Sequence, residues 1–393
     1  MMLSENGENS RLVKQQTGVY FLSFILLGLI SGLFGPTLPR LATVMGVSLG
    51  QAGMIFSARS LGHLFGSFFL GKRYDKYPGH PLLALVGCTI AAMAFLIPVS
   101  SIFLLTLGLM FILGMAQGLI SVGGNTLIVW VHPATYSSYL IAIHFFFGFG
   151  AFLSPLFVAQ VAVFTHELIV VFGILAFLSL ILALITFRLP SPPIRSKAAN
   201  EDKVETDKTF LLMTLAFLVI YVGVESNYGA WIYTYALHMN LTDAGGAALV
   251  NSAFWLALTI GRLISIPLSR KFLPRHILGV ALSGAFISSL MLLLNNGSVV
   301  WLWIGVAGSG FFMSTVFPTT FAFAERRIRI NGKITGLFFA AASMGAVLVP
   351  YTTGMIMEAT SPLAVPGMNV LALVLTVLLL SALILYSKKK FSV

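Results

Sequence analysis

Residues 144–155 of the chain read His-Phe-Phe-Phe-Gly-Phe-Gly-Ala-Phe-Leu-Ser-Pro, and residues 339–350 read Phe-Ala-Ala-Ala-Ser-Met-Gly-Ala-Val-Leu-Val-Pro. The second glycine of the first stretch, the alanine after it and the final proline return at an offset of 195 residues, from Gly150 to Gly345. Chance similarity between two apolar helices is the alternative explanation. We interpret the match as an internal repeat, because the apolar segments around it also divide into two equivalent sets.

The composition indicates a membrane protein. Hydrophobic residues make up 58% of the chain, whereas Asp, Glu, Lys and Arg together make up 9%. Soluble domains carry roughly 25% charged residues, so a soluble enzyme is excluded. A helix needs about 20 apolar residues to cross a bilayer core. Twelve segments have this length, and we predict spans over residues 17–40, 50–71, 81–99, 102–130, 136–162, 166–187, 209–238, 244–269, 276–295, 299–324, 333–357 and 364–386.

These spans predict an all-α membrane protein with 12 transmembrane helices in two pseudo-symmetric six-helix bundles. The chain has a net charge of +11, and its Lys and Arg residues cluster in alternate connections, at 11–14, 72–76, 188–208, 270–275, 326–333 and 388–390. All of these lie on one side if both termini are cytoplasmic, which follows the positive-inside rule. The charge therefore sets orientation, and we expect no nucleic-acid partner. We expect a multi-pass protein of a bacterial inner membrane.

The longest polar stretch divides the chain into two sets of six spans. It runs from Pro190 to Lys208 and contains Ser, Pro, Asn and charges of both signs. We predict an N-terminal six-helix bundle over residues 1–188, a cytoplasmic linker over 189–208, and a C-terminal six-helix bundle over 209–393. Parallel six-helix repeats build transporters whose substrate site lies near the middle of the membrane.

The sequence contains no catalytic constellation that we can identify. Zinc-protease and Walker A motifs are absent from it. The single cysteine, Cys88, excludes an intrachain disulfide and a zinc cluster built on thiolates. We therefore expect no enzyme activity, no metal and no cofactor. Transport without an ATP site is driven by gradients or is passive.

Four stretches carry a family resemblance. Gly71-Lys-Arg-Tyr-Asp-Lys76 resembles the signature of the major facilitator superfamily, although Pro78-Gly79-His80 departs from the end of that motif. Residues 118–125, 144–155 and 221–231 resemble the fucose and glucose/galactose porter group, and most of all its sodium-dependent glucose transporter branch. The resemblance implies a monomeric monosaccharide importer, for a glucose- or fucose-like sugar, coupled to H⁺ or Na⁺ by alternating access. One position differs, since Ser121 stands where relatives tend to carry a carboxylate.

Glu225 is the principal candidate for ion coupling. It lies about halfway along the predicted seventh span. A charge at the centre of a membrane helix costs about 2.5–3.5 kcal/mol on insertion scales, so such residues usually face a cavity or a partner. The alternative is a protonated glutamate that only bonds to a neighbouring helix. His144, in the fifth span, is a second coupling candidate, with a structural histidine as the more common explanation.

Polar and aromatic residues near these positions are candidates for sugar contacts. A pyranose presents apolar C–H faces and a hydroxyl rim, which suits ring faces combined with amide groups. Packing between helices is the alternative for each residue, and the membrane-interface belt is the alternative for the tryptophan. The predicted substrate-binding residues are Gln117, Asn125, Asn227, Tyr228, Trp231 and Asn251.

Four further charged residues are assigned to gating or structure. Arg59 and Arg262 lie inside the second and eighth spans. Each could contact substrate, pair with a carboxylate for structural reasons, or extend its side chain to the membrane interface. Asp75 can accept backbone N–H groups at a facing helix start, and Glu325 takes the matching place after the tenth span. Ordinary interfacial charge is the alternative for both carboxylates.

Two other functions remain open from the residues alone. The 33 Phe and 15 Met suit an exporter of an amphiphilic metabolite, drug or siderophore, since methionine adapts to irregular ligands. The second alternative function is that of a membrane receptor or scaffold that transports nothing. The central acid and the repeated halves favour a transporter over a receptor.

Overall fold

The structure is a computed structural model that describes residues 2–133, 135–165, 167–194, 207–328 and 332–391. All regular secondary structure in these ranges is helical. The α-helices are α1 (Met2–Met45), α2 (Leu49–Ala52), α3 (Met54–Phe65), α4 (Gly79–Leu96), α5 (Phe103–Val131), α6 (Tyr136–Phe164), α7 (Leu168–Arg188), α8 (Lys208–His238), α9 (Ala244–Lys271), α10 (Pro274–Leu293), α11 (Val299–Met313), α12 (Val316–Glu325), α13 (Gly332–Ala359) and α14 (Ala364–Phe391).

The described residues supply eleven helical segments that are long and apolar enough to cross a membrane. The predicted second span, over 50–71, is divided into α2, α3, a π-helical turn at Gly66–Leu70 and a 3₁₀ turn at Gly71–Asp75. Its crossing with α5 is very close, because a Cβ on Gly66 would overlap the Met115 carbonyl. Such close approach needs small residues, and π-turns commonly interrupt helices at specialised sites.

The chain forms two compact units. The first combines the residues up to Leu33 with those from Leu61 to the linker, and the second combines Phe34–Ser60 with the residues after the linker. Most of the predicted linker, over 189–208, lies outside the described residues, so the predicted division of the chain stays a prediction.

The internal repeat has a counterpart in helix packing. In the first unit a Cβ on Gly28 would overlap the Phe147 carbonyl, and one on Gly150 would overlap the Ile25 carbonyl. In the second unit a Cβ on Gly345 would overlap the Val219 carbonyl, and one on Gly223 would overlap the Val349 side chain and lie 3.1 Å from the Gly345 carbonyl. Both glycines of the first pair thus return 195 residues later. The backbones in each crossing touch directly, which a side chain at either glycine would prevent.

Residues 34–60 are attached to α13 through carbonyl groups near a proline. Pro350 has no N–H, so the Ala346 carbonyl lacks its helical donor. Ser60 Oγ donates to that carbonyl at 3.4 Å, and Ser57 Oγ donates to the Val347 carbonyl at 2.8 Å. The proline therefore leaves an acceptor on α13, and a serine of the divided span satisfies it.

Asp207 joins the beginning of α8 to the end of α14. Its carboxylate accepts the Phe210 N–H at 2.9 Å as a helix cap, lies 2.7 Å from Lys390 Nζ, and accepts the Tyr386 hydroxyl at 3.2 Å. Burial raises the pKa of Asp207, but the bonds from Lys390, Phe210 and Tyr386 outweigh this and lower the pKa below its usual value.

We expect alanine at Gly345 to lower the thermal unfolding temperature, even though alanine is favoured over glycine in helices by up to about 1 kcal/mol. The overlap with the Val219 carbonyl forces α8 and α13 apart. Gly279 is the matched control, because a Cβ at that helical position would meet nothing within 4 Å. Gly279→Ala should hold or raise the unfolding temperature in detergent. Equal shifts for the two variants would contradict the packing argument.

We expect Asp207→Asn to lower the unfolding temperature at neutral pH. A carboxylate whose pKa is lowered by folding stabilises the fold above its unfolded pKa of about 4, and this contribution is lost as pH falls through the folded pKa. The unfolding temperatures of the wild-type and variant proteins should therefore converge as pH is lowered below about 4. A difference that stays constant over this range would show that Asp207 does not act through its charge.

Candidate functional site

Glu225 lies inside the second unit, in the middle of α8, and its side chain is 18% exposed. Its Oε2 accepts the Tyr221 hydroxyl at 2.8 Å, and its Oε1 lies 3.5 Å from Arg262 Nη2 on α9. Tyr221 precedes it by four residues, so both side chains lie on one face of α8. The carboxylate is thus held by one partner from its own helix and one from a neighbouring helix.

The hydroxyl of Tyr221 faces two acceptors at once. It lies 2.8 Å from Glu225 Oε2 and 2.5 Å from the carbonyl oxygen of Met313. Met313 is the last residue of α11, where the tenth span is interrupted, and final carbonyls of a helix lack an intrahelical donor. A tyrosine hydroxyl has one proton. It can therefore donate to only one of the two oxygens at a time. Both contacts are hydrogen bonds together only if Glu225 carries a proton and donates it to the Tyr221 oxygen.

The arrangement can therefore exist in two protonation states with different bonds. An ionised Glu225 attracts Arg262 and accepts from Tyr221. A protonated Glu225 donates to Tyr221, which then donates to Met313, and the attraction to Arg262 is lost. No group of three His, Cys, Asp or Glu residues in the described ranges is arranged to hold a metal ion. Carboxylate oxygens nevertheless suit a hard cation such as Na⁺ as well as a proton.

Two predicted sugar-contact residues of α8 belong to a buried polar network. The Tyr228 hydroxyl lies 2.7 Å from Ser289 Oγ and accepts from Ser309 Oγ at 2.9 Å. Asn227 Nδ2 donates to Asn369 Oδ1 at 2.8 Å. Asn227 and Tyr228 are fully buried. These hydrogen bonds connect α8 to α10, α11 and α14. In this structure Asn227 and Tyr228 therefore stabilise the packing of four helices.

Trp231 is also fully buried. Its Nε1 donates to the Pro350 carbonyl at 2.8 Å, and its ring meets Phe56 edge-on with centroids 6.0 Å apart. A Cβ on Gly53 would lie 2.8 Å from the ring, and one on Gly354 would lie 2.6 Å from it. In the structure the Trp231 side chain therefore lies between residues 34–60 and α13, and it helps to pack that segment against α8 and α13.

The other predicted sugar contacts are placed differently. Gln117 is buried and donates to Ser31 Oγ at 3.4 Å, whereas Asn125 is half-buried and donates to the Ser121 carbonyl at 2.7 Å. Asn251 is fully buried, and neither of its amide atoms has a hydrogen-bond partner among the described residues. Of these three side chains only Asn125 is partly accessible.

Arg262 contacts Glu225, and the remaining charged candidates have other surroundings among the described residues. Arg59 packs its guanidinium 5.4 Å from the centroid of Phe34, and its buried Nε has no hydrogen-bond partner among the described residues. His144 is exposed and meets the Phe24 ring edge-on. Asp75 and Glu325 are exposed, and neither has a cation within 4 Å in the described part of the chain. Their gating roles stay predictions.

Two tyrosines that are not among the predicted site residues have prominent positions in the structure. Tyr221 was available from its four-residue spacing to Glu225. Tyr74, beside Asp75 in the signature, is buried against α5, where a Cβ on Gly123 would overlap its ring. Burial raises the pKa of Tyr74. No sequence signal distinguishes this anchoring tyrosine from an interfacial one.

Comparison with known proteins identifies the family. A family model for the Major Facilitator Superfamily matches residues 20–350. The chain belongs to the Major Facilitator Superfamily. It is therefore an integral, multi-pass membrane transporter of small molecules and not an enzyme, as the sequence predicted. The predicted class of fold is confirmed as well.

The similar proteins place the chain near one branch of the superfamily. Sodium-dependent glucose transporter 1 of Xenopus laevis is 29% identical over 352 residues, covering 81% of this chain and 71% of that protein. The Homo sapiens protein of the same name is 26% identical over 374 residues, covering 85% and 72%. The predicted resemblance to the sodium-dependent glucose transporter branch is thus confirmed.

Solved structures agree on the fold. The nucleoside transporter NupG has a TM-score of 0.74 at 17% identity, covering 95% of this chain and 98% of that chain. A bacterial homologue of the human lysosomal transporter Spinster, in an inward-facing and occupied conformation, has a TM-score of 0.75 at 15% identity, covering 98% and 97%. At these identities the likeness shows the major facilitator fold alone.

We expect Tyr228→Phe to lower the unfolding temperature, because it removes the hydroxyl that bonds to Ser289 and Ser309. Hydrogen bonds between membrane helices contribute about 0.6 kcal/mol on average and up to about 1.7 kcal/mol. Tyr77→Phe is the control, since Tyr77 is exposed, and it should leave the unfolding temperature unchanged. An unchanged unfolding temperature for Tyr228→Phe with a raised KM for sugar would instead favour direct substrate contact.

Proposed function

We propose that this protein is a monosaccharide importer for a glucose- or fucose-like sugar, coupled to H⁺ or Na⁺ through Glu225 by alternating access. The proposal rests on the position of Glu225 in the middle of a membrane helix, with its carboxylate between the Tyr221 hydroxyl and the Arg262 guanidinium. We place the protein in a bacterial inner membrane as a monomer, with both termini cytoplasmic.

The names of the relatives support a sugar as substrate. Both quoted relatives are called sodium-dependent glucose transporter 1 and align with more than four fifths of this chain. The chain has Ser121, not a carboxylate, one turn before Asn125. Coupling in this protein therefore falls to an acid elsewhere, and Glu225 is the central one on α8.

The bonds of Glu225 supply a mechanism for coupling. An ion on the carboxylate removes the negative charge that holds Arg262, and the guanidinium is then free to donate to sugar hydroxyls. A sugar bound in that way keeps Arg262 from returning, so the ion and the sugar favour each other's binding. Either ligand alone leaves one charge without its partner in a medium where such charges are costly.

The accessibility of the amides supports a division of roles. Asn125 is half-buried, and we assign it to sugar hydroxyls, whereas Gln117 on the same stripe is buried and donates to Ser31. The polar groups of Asn227, Tyr228 and Trp231 are hydrogen-bonded to neighbouring helices. We assign these three to positioning α8, so that Glu225 and Arg262 are held at a fixed separation.

The decisive test is Glu225→Gln in proteoliposomes. The variant should lose uptake of labelled glucose or fucose against a gradient while still exchanging sugar across the membrane, because the neutral amide mimics the ion-bound carboxylate. Uptake should be measured with an imposed sodium gradient and, separately, with an imposed pH gradient. The gradient that drives the wild-type protein identifies the coupling ion.

Glu167→Gln is the matched control, because Glu167 is an exposed carboxylate at the beginning of α7. It should transport like the wild-type protein. Accumulation that survives in Glu225→Gln would contradict coupling through Glu225. Absence of any sugar flux in the wild-type protein, together with flux of a lipophilic cation, would favour the amphiphile exporter.

A further inference from the structure

A groove lies on the second unit between α9 and α10. Its floor is α11, which packs against both helices, whereas α9 and α10 themselves are barely in contact. The cavity has a volume of about 230 Å³. Its lining is almost entirely apolar and includes Ile264, Leu268, Ile277, Val280, Phe311 and Phe312.

Both walls of the groove carry exposed side chains. Ile264 and Leu268 on one wall are 43% and 40% exposed, and Val280 on the other wall is 66% exposed. It extends from the turn between α9 and α10 to Gly261, ten residues before the end of α9 at Lys271. Ten helical residues span about 15 Å, which is half the thickness of a bilayer's hydrocarbon core. The groove therefore has the depth of the acyl chains in one leaflet.

Basic residues surround the mouth of the groove. Arg270 and Lys271 end α9, and Arg275 lies in the first turn of α10. Arg275 Nε is 3.4 Å from a ring nitrogen of His276, which itself lines the groove. The turn thus carries three cations directly at the point where the apolar lining begins.

A second basic segment lies close to this turn. Burial lowers the pKa of Arg327, and the positive charges of Arg326 and Arg275 lower it further. None of the basic residues at the mouth has a carboxylate within 4 Å in the described part of the chain. An uncompensated cluster of cations at the membrane surface attracts anionic groups, and arginine matches phosphate in geometry.

We propose that the groove between α9 and α10 binds one anionic glycerophospholipid. An acyl chain occupies the apolar groove, and the phosphate lies against Arg270, Lys271 and Arg275. The apolar groove suits an acyl chain, and the adjacent cations suit a phosphate headgroup. A free phosphate would not need the groove, and an uncharged lipid would not need the cations. This site is separate from the transport mechanism proposed above, and its test does not depend on sugar uptake.

The test is native mass spectrometry of the full-length protein in detergent, titrated with dioleoyl phosphatidylglycerol or dioleoyl phosphatidylcholine. The wild-type protein should retain one phosphatidylglycerol at concentrations where phosphatidylcholine is released. Val280→Trp fills the groove from an exposed position and should abolish retention of that lipid. Ile287→Trp is its control, because Ile287 lies two turns further along the same face of α10, is 58% exposed and does not line the groove.

The charge requirement has its own pair of variants. The double variant Lys271→Gln, Arg275→Gln should weaken phosphatidylglycerol retention at least tenfold. The control is the double variant Lys388→Gln, Lys389→Gln, which removes the same amount of charge from the end of α14. This control should leave phosphatidylglycerol retention unchanged. Equal losses in both double variants would indicate unspecific attraction and overturn the proposal. Equal retention of the two lipids by the wild-type protein, or normal retention by Val280→Trp, would overturn it as well.

Discussion

The hydrocarbon interior of a membrane offers no hydrogen-bond partners, and this constraint explains the contacts of the polar side chains on α8. Tyr228 and Asn227 bond to side chains of three neighbouring helices instead of facing lipid. The Ala346 carbonyl, left without a donor by Pro350, receives one from Ser60. Glu225 meets the same requirement with Tyr221 and Arg262.

Close packing is the second consequence, because helices in lipid gain little from the hydrophobic effect between them. The glycine pairs of α1 with α6 and of α8 with α13 let backbones touch at equivalent places in the two units. Gly28 and Gly150 correspond to Gly223 and Gly345 through one offset. The two halves therefore carry the same residue at positions where a side chain would separate the helices, although most surrounding residues differ.

The proposed site depends on one charge that can be neutralised in place. Arg262 lies beside one oxygen of the Glu225 carboxylate, and the Tyr221 hydroxyl donates to the other. In the proposed mechanism, an ion on this carboxylate releases Arg262. The anionic lipid proposed for the groove acts elsewhere, at the end of the second unit where its Lys and Arg residues gather.

The sequence by itself determined the membrane-spanning class, the all-helical fold, the repeated halves and the family, because apolar length, charge placement and glycine spacing are local properties of a chain. It also located Glu225, since an acid in a long apolar run is conspicuous. Only the tertiary structure decided that Tyr228 and Trp231 bond to neighbouring helices and that Tyr221 and Arg262 hold the carboxylate. The rotation of a helix depends on its neighbours, and a helix that is apolar all round carries no periodic signal of which side faces them.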